Sequence, residues 1–302
     1  MDYSVLGHTG IRVSALGLGC GGPSSLGQKS GKTRGESVAV IKQALDSGIN
    51  FIDTAEEYGT EEFVGDAIRT ADRNSLVLST KKTVFNGITP EQVQKGLEES
   101  LKRLGTEYID IYHLHRVILE DYDYLASEIV PLLQQMRESG KIRFLGITEG
   151  FNSDLQHTML QRALQDDIWD VMMVGFHILN QSARDSVLKN AIQKDIGIVV
   201  MQAARPISSQ PDQVKRLINQ LIEKNQLKPS DIDYNNPFDF LIRDSGAANL
   251  ADLAYRFCHY EPGTHVILSG TGNSTHLEAN IESFSRPPLP QEYLEKIKNM
   301  FQ

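Results

Sequence analysis

Eight times along this 302-residue chain a short apolar run gives way to a longer segment with helical spacing. The runs are "SALGLGC" (14–20), "NFID" (50–53), "SLVLSTK" (75–81), "YIDIYHLH" (108–115), "KIRFLGIT" (141–148), "WDVMMVGF" (169–176), "DIGIVVMQA" (195–203) and "THVILSG" (264–270). After the first of them, Val38, Ile41 and Leu45 of "SVAVIKQALDSG" fall on one helical stripe. Strands that alternate with helices pair in parallel, because each helix carries the chain back to the end of the sheet where the strand began. Eight such units at this length close most simply into an α/β barrel of the (β/α)8 or TIM-barrel type, with a doubly wound open sheet as the alternative.

The same reading places the flanking pieces. Thr89, Pro90 and Gln92 start a helix with capping-box spacing, and Gly105 suits its stop. Further helices are expected near 127–139, over the stretch carrying Leu155, Met159 and Ala163, and through Val187, Leu188 and Ala191. The opening "YSVLGHTGIRVS" reads as an N-terminal β-hairpin that covers the bottom of the barrel. After the seventh strand comes a long loop, 203–246, with a helix around 212–224 and the polar stretch "KPSDIDYNNPFD". No low-complexity linker interrupts the pattern, so one domain spanning 1–302 is expected.

A net charge of -9 and 30 dispersed Lys and Arg residues argue against a nucleic-acid partner. Cys20 and Cys258 stand far apart without metal-ligand spacing, which points away from a disulfide framework or a zinc site and toward a reducing, cytoplasmic setting. The start "MDYSVLGHTGIRV" lacks the basic-then-apolar pattern of a signal peptide, and no run reaches membrane-spanning length.

In such barrels chemistry gathers at the C-terminal ends of the strands. The second strand ends at Asp53, the third at Lys81 and the fourth at His115, while Tyr58 follows the second in "FIDTAEEYG" (51–59). Alternation sets Asp53, Lys81 and His115 in rows that face the barrel axis. A Lys aimed inward needs a counter-charge, which Asp53 can supply. The ammonium is then expected to lower the Tyr58 pKa by about one to three pH units and make the phenol a usable proton donor or acceptor. His115 shares the proton or positions the reacting oxygen, and a carbonyl protonated as hydride arrives suits the set. His113, one layer deeper, is expected to be a buried histidine satisfied by a hydrogen bond.

A second candidate site lies in "SGTGNSTHLEAN" (269–280), where Gly270, Thr271 and Gly272 precede a helix whose free N–H groups attract anions. Thr275 and Glu278 have capping-box spacing, so a plain capped loop is the competing reading. The frequency of phosphate sites after the last two strands of such barrels favours the anion site.

Taken together, "LGHTGIRVSALGLG", "ALDSGINFIDTAEEYGTEEFVGDAI", "LSTK", "SLKRLGTEYIDIYHLHR", "GKIRFLGIT" and "GTGNSTHLEANI" resemble the aldo-keto reductase family over nearly the whole chain. The resemblance implies a barrel that binds NADP(H), or NAD(H), and interconverts small-molecule carbonyls and alcohols. It also implies a catalytic tetrad of Asp53, Tyr58, Lys81 and His115, with Tyr58 moving the proton. It further implies that Thr148 lies near the nicotinamide carboxamide, and that Gly270, Thr271, His276 and Asn280 lie near the adenosine. Gly19, Cys20, Gln202, Ala203 and Gly272 complete the expected cofactor contacts. The chain departs from the family pattern at Glu149, Met173 and Ala203, where the family usually has Asn, Gln and a nicotinamide-stacking aromatic. From 257 to 285 there is no Lys or Arg to hold a 2′-phosphate, leaving His276 or a cation elsewhere, such as Arg205, for that task. The rim loops 116–126 and 203–246 are expected to set specificity, and 203–246 to close over the nucleotide. A sugar or polyol dehydrogenase working oxidatively, or a nucleotide-sensing regulatory protein with little turnover, are the alternative functions.

Overall fold

A computed structural model describes residues 1–204, 211–225, 227–233, 235, 238–243 and 245–301. Arg205, and parts of the long loop expected to close over a nucleotide, lie outside the described residues. The hairpin strands are β1 (Tyr3–Val5) and β2 (Arg12–Ser14), paired antiparallel. The barrel strands are β3 (Leu16–Gly19), β4 (Phe51–Asp53), β5 (Val77–Thr83), β6 (Ile109–Val117), β7 (Ile142–Glu149), β8 (Val171–Gly175), β9 (Gly197–Met201) and β10 (Val266–Ser269). All eight pair in parallel with their sequence neighbours, and β10 closes on β3. The open-sheet alternative is therefore excluded.

Two apolar layers follow from strand alternation. Phe51, Val77, Ile111, Val171, Met173, Val199 and Val266 point inward and fill the barrel axis, joined from below by Leu6, Ile11 and Val13 of the hairpin region. The opposite faces, including Leu16, Leu18, Ile52, Leu78, Tyr112, Leu145 and Ile198, pack against the helices. Plugging the bottom depends on Gly7, where a Cβ would meet the Asp195 carbonyl at 2.4 Å, and His8 N–H donates to that carbonyl at 2.7 Å. The hairpin thus covers the floor, opposite the C-terminal mouth where such barrels carry their chemistry.

Helix Pro90–Leu104 has the expected capping box at Thr89 and Gln92 and ends on left-handed Gly105. Two expectations need correction. The stretch near 127–139 is two helices, Leu119–Glu128 and Val130–Glu138, because Pro131 has no N–H to continue the first. Leu155 lies outside its helix, which spans Thr158–Ala163 and begins where the Asp154 carboxylate accepts from the N–H groups of Thr158 and Met159, both at 2.9 Å. No helix among the described residues is long and apolar enough to cross a membrane.

Candidate active site

The mouth of the barrel brings the four sequence-predicted polar groups together. Lys81, at zero exposure, donates from Nζ to Asp53 Oδ1 at 2.6 Å, to Asp53 Oδ2 at 2.7 Å and to the Thr54 carbonyl at 2.7 Å. Asp53 also accepts from Ser79 Oγ at 2.8 Å. Every one of the three ammonium protons has an acceptor. Burial works against the charge on Lys81, yet the charge and hydrogen bonds of Asp53 more than offset it and hold its pKa above the usual lysine value. Burial also raises Asp53, with Lys81 pulling the other way.

Tyr58 ends the short turn Glu56–Tyr58 after β4, which Gly59 terminates in a left-handed conformation. Its ring centroid lies 5.3 Å from Lys81 Nζ, and its hydroxyl is 3.4 Å from His115 Nε2. The two rings meet edge to face at 83°. The two glutamates beside Tyr58 fix the turn. Glu56 pairs with Lys82 at 2.8 Å, and Glu57 accepts from Thr83 Oγ1 at 2.7 Å and faces Arg116 at 3.3 Å.

His115 keeps the regular register with β5, opposite Thr83, and an irregularity toward β7 follows it. The β6–β7 register shifts between Leu114 and Val117, and Arg116 adopts φ 58, so the strand bulges and re-aims its end. The Arg116 N–H then donates to Thr148 Oγ1 at 2.9 Å, tying β6 to β7 at the rim. Burial, then the positive charges of Lys81 and Arg116, depress the His115 pKa to about 2. At neutral pH this histidine is uncharged.

Two expectations at the site are corrected. The Tyr58 pKa is raised, because burial outweighs the lowering by Lys81, and Asp53 and Glu57 add to the rise. His113 is fully buried, but its ring nitrogens lack a close hydrogen-bond partner among the described residues, only the Ile147 backbone acting on it weakly as one, and burial, then the charge of Lys81, keeps it neutral with a pKa well below the usual value. It packs where only a glycine fits, since a Cβ at Gly146 would lie 2.2 Å from its Nδ1.

Around β10 the predicted residues gather, with some altered roles. Helix Ser274–Ser285 is capped by Asn273, whose side chain accepts from the N–H groups of Thr275 and His276, in place of a box between Thr275 and Glu278. Gly272 is closed off, as a Cβ there would meet Gly27 N at 2.2 Å. Thr271 Oγ1 accepts from Asn273 N at 3.0 Å, and Asn280 donates to Ser269 Oγ at 2.7 Å. His276 is exposed at the rim. A Cβ at Gly270 would face the Gly19 and Gly21 carbonyls at 3.4 and 3.8 Å, so the β10 loop runs close beside the segment after β3.

Of the other predicted contacts, Cys20 is fully buried, its N–H donating to the Asp53 carbonyl at 2.7 Å and its thiol pushed up by burial. Gln202 has a left-handed φ of 64 and Ala203 is buried beside it at the end of β9. Sequence reasoning missed a buried pair at the end of β7. Glu149 accepts from His157 Nδ1 at 2.9 Å and from Gly175 N–H at 2.8 Å, and Phe151 stacks on His157 at 5.6 Å. The departure at Glu149 was the available signal.

The model of the Aldo/keto reductase family matches residues 16–301. The chain is 32% identical over 209 residues to an L-galactose dehydrogenase of Arabidopsis thaliana, a match spanning 66% of this chain and 64% of the plant enzyme. It is 30% identical over 219 residues to an NADH-specific methylglyoxal reductase of Escherichia coli, spanning 65% of this chain and 64% of that enzyme. An aldo/keto reductase of Klebsiella pneumoniae, solved with NADP and acetate, has the same fold, with a TM-score of 0.72 at 22% identity, covering all of this chain and 96% of the other.

Proposed function

The chain belongs to the aldo/keto reductase family, and from that premise we propose that it reduces an aldehyde or ketone with a nicotinamide cofactor, using Tyr58 as the proton donor. The observation that carries the reading is the phenol itself, protonated at neutral pH, beside a neutral His115 and above a buried Asp53–Lys81 pair. A bound nicotinamide nucleotide would supply the hydride to the carbonyl carbon.

The chain's own residues account for the rest. Tyr58 hydrogen-bonds the carbonyl oxygen and releases its proton to it as negative charge develops there. Lys81 supports the phenolate left behind, because its fixed positive charge is 5.3 Å from the ring. Asp53 and the Thr54 carbonyl prevent that ammonium from swinging away, and Ser79 steadies Asp53. His115 orients the phenolic hydroxyl without titrating in the working range. In the reverse direction the alcohol's proton would pass to an ionised Tyr58, a form that its raised pKa makes less available near neutrality.

Thr148, Gly19, Gly270, Thr271, His276 and Asn280 are the residues we assign to the nucleotide. No Lys or Arg occurs from 257 to 285, so we assign NADH as a cofactor at least as well held as NADPH. The test is a panel of aldehydes, ketones and aldoses given with NADH or NADPH, followed by loss of nucleotide absorbance. Turnover by the wild type that is abolished in Tyr58→Phe supports the reading. Tyr58→Phe turning over at the wild-type rate would overturn it.

A further inference from the structure

We infer that Gly21 is a positioning residue for Tyr58, and that the absence of a side chain at position 21 sets where the proton donor stands. This deepens the proposed reaction and rests on it. Gly21 follows β3 and lies beside the turn that carries Tyr58. A Cβ built on it would sit 2.4 Å from Tyr58 Cε2, 2.5 Å from Cδ2 and 2.7 Å from Cζ. These are the ring atoms on one edge, up to the carbon that bears the reacting hydroxyl. All three distances are shorter than Cβ contacts in folded proteins, so the ring or the loop has to move if anything larger than hydrogen stands there.

The reason for a glycine here is specific. Gly21 does not have a positive φ, unlike its neighbour Gly22 at φ 72, so its φ does not itself call for glycine, and the nearest atoms a Cβ would meet are all of the Tyr58 ring. On its other sides the ring meets the edge of His115 and the charge of Lys81. Gly21 therefore closes one side of a slot in which His115 and Lys81 stand at two others. The hydroxyl stands 3.4 Å from His115 Nε2, near the upper limit of a hydrogen bond, so a shift of the ring away from Gly21 changes that contact directly. The Gly21 carbonyl also faces Gly270, so the segment bridges the tetrad and the β10 loop.

The experiment compares Gly21→Ala with Gly35→Ala, Tyr58→Phe and the double variant Gly21→Ala/Tyr58→Phe. Gly21→Ala is expected to lower kcat roughly tenfold to a hundredfold, the size of effect an ångström-scale misplacement produces. The nucleotide dissociation constant, read by fluorescence titration, should stay within about twofold because the hydride donor's own contacts are untouched. In the Tyr58→Phe background the same substitution should cost no further rate, since no proton donor is left to misplace. Gly35→Ala, at an exposed glycine away from the site where a Cβ would meet nothing within 4 Å, should leave kcat near wild type.

Wild-type kcat in Gly21→Ala, an equal loss from Gly35→Ala, or a second full loss in the Tyr58→Phe background would each overturn the inference. Tyr58→Phe with undiminished turnover would sink the underlying reaction instead, so the two failures are told apart. If Gly21→Ala does not fold, Gly21→Ala/Tyr58→Ala removes the collision. Recovery of folding in that pair supports the contact, and continued failure to fold contradicts it.

Discussion

Lys81 and Asp53 form a closed pair beneath the barrel mouth, with Nζ 2.6 and 2.7 Å from the two carboxylate oxygens and the lysine at zero exposure. Removing one partner strands the other charge away from water. Lys81→Met is therefore expected to cost about 3–5 kcal/mol of stability, while Lys81→Met/Asp53→Asn, which leaves no buried ion, costs less than the single change. Urea unfolding of the three proteins checks this, and a double variant less stable than Lys81→Met would contradict it.

His115 links pH to stability with a definite sign. Its folded pKa of about 2 lies below the ordinary value of 6.5. The folded state binds its proton less readily than the unfolded chain does. The stability this contributes is present above pH 6.5 and is lost as pH falls from 6.5 toward 2. Relative to His115→Asn, the wild type should lose about 1.4 kcal/mol per pH unit between roughly pH 6 and 4. Chemical denaturation of both proteins across that range tests the difference, and parallel pH dependences would rule it out.

Phe151 is held in a space that only glycine leaves open. A Cβ at Gly175 would sit 2.3 Å from the Phe151 ring, which stacks on His157 and meets His177 edge-on. Gly175→Ala is expected to cost about 1–3 kcal/mol by overpacking. Thermal unfolding reads the loss, and paired Gly175→Ala/Phe151→Leu should recover part of it.

Nucleotide preference should be adjustable at His276. With no Lys or Arg from 257 to 285, the segment around His276 carries no fixed positive charge for a 2′-phosphate. His276→Arg supplies a guanidinium suited to phosphate and is expected to tighten NADPH binding about tenfold while changing NADH binding little. Equal changes for the two nucleotides would show that position 276 does not face the 2′ position.

Much of this architecture is written in the chain at short range. The eight βα units, the hairpin below and the Thr89 capping box are set by periodicity and local capping, and they stand as read. Asp53, Lys81 and His115 were legible because strand alternation fixes which ends face the axis. The sign of the Tyr58 shift was not, since sequence reveals the neighbouring ammonium but not how deeply the phenol is buried. His113 was expected to be hydrogen-bonded, but its surroundings depend on a glycine in the next strand. The Gly21 contact and the Glu149–His157 pair were hidden for the same reason, because each joins segments whose approach only the closed barrel defines.

The central claim is that Tyr58 donates the proton from a phenol that stays protonated through the neutral range. The most direct measurement is the pH dependence of kcat for carbonyl reduction by the wild type, alongside Tyr58→Phe. A profile level through neutrality that falls only above the ordinary phenol value of 10.0, together with loss of turnover in Tyr58→Phe, is the predicted result. A profile that falls through pH 6–8 and survives in Tyr58→Phe would place the proton on another group and contradict the account.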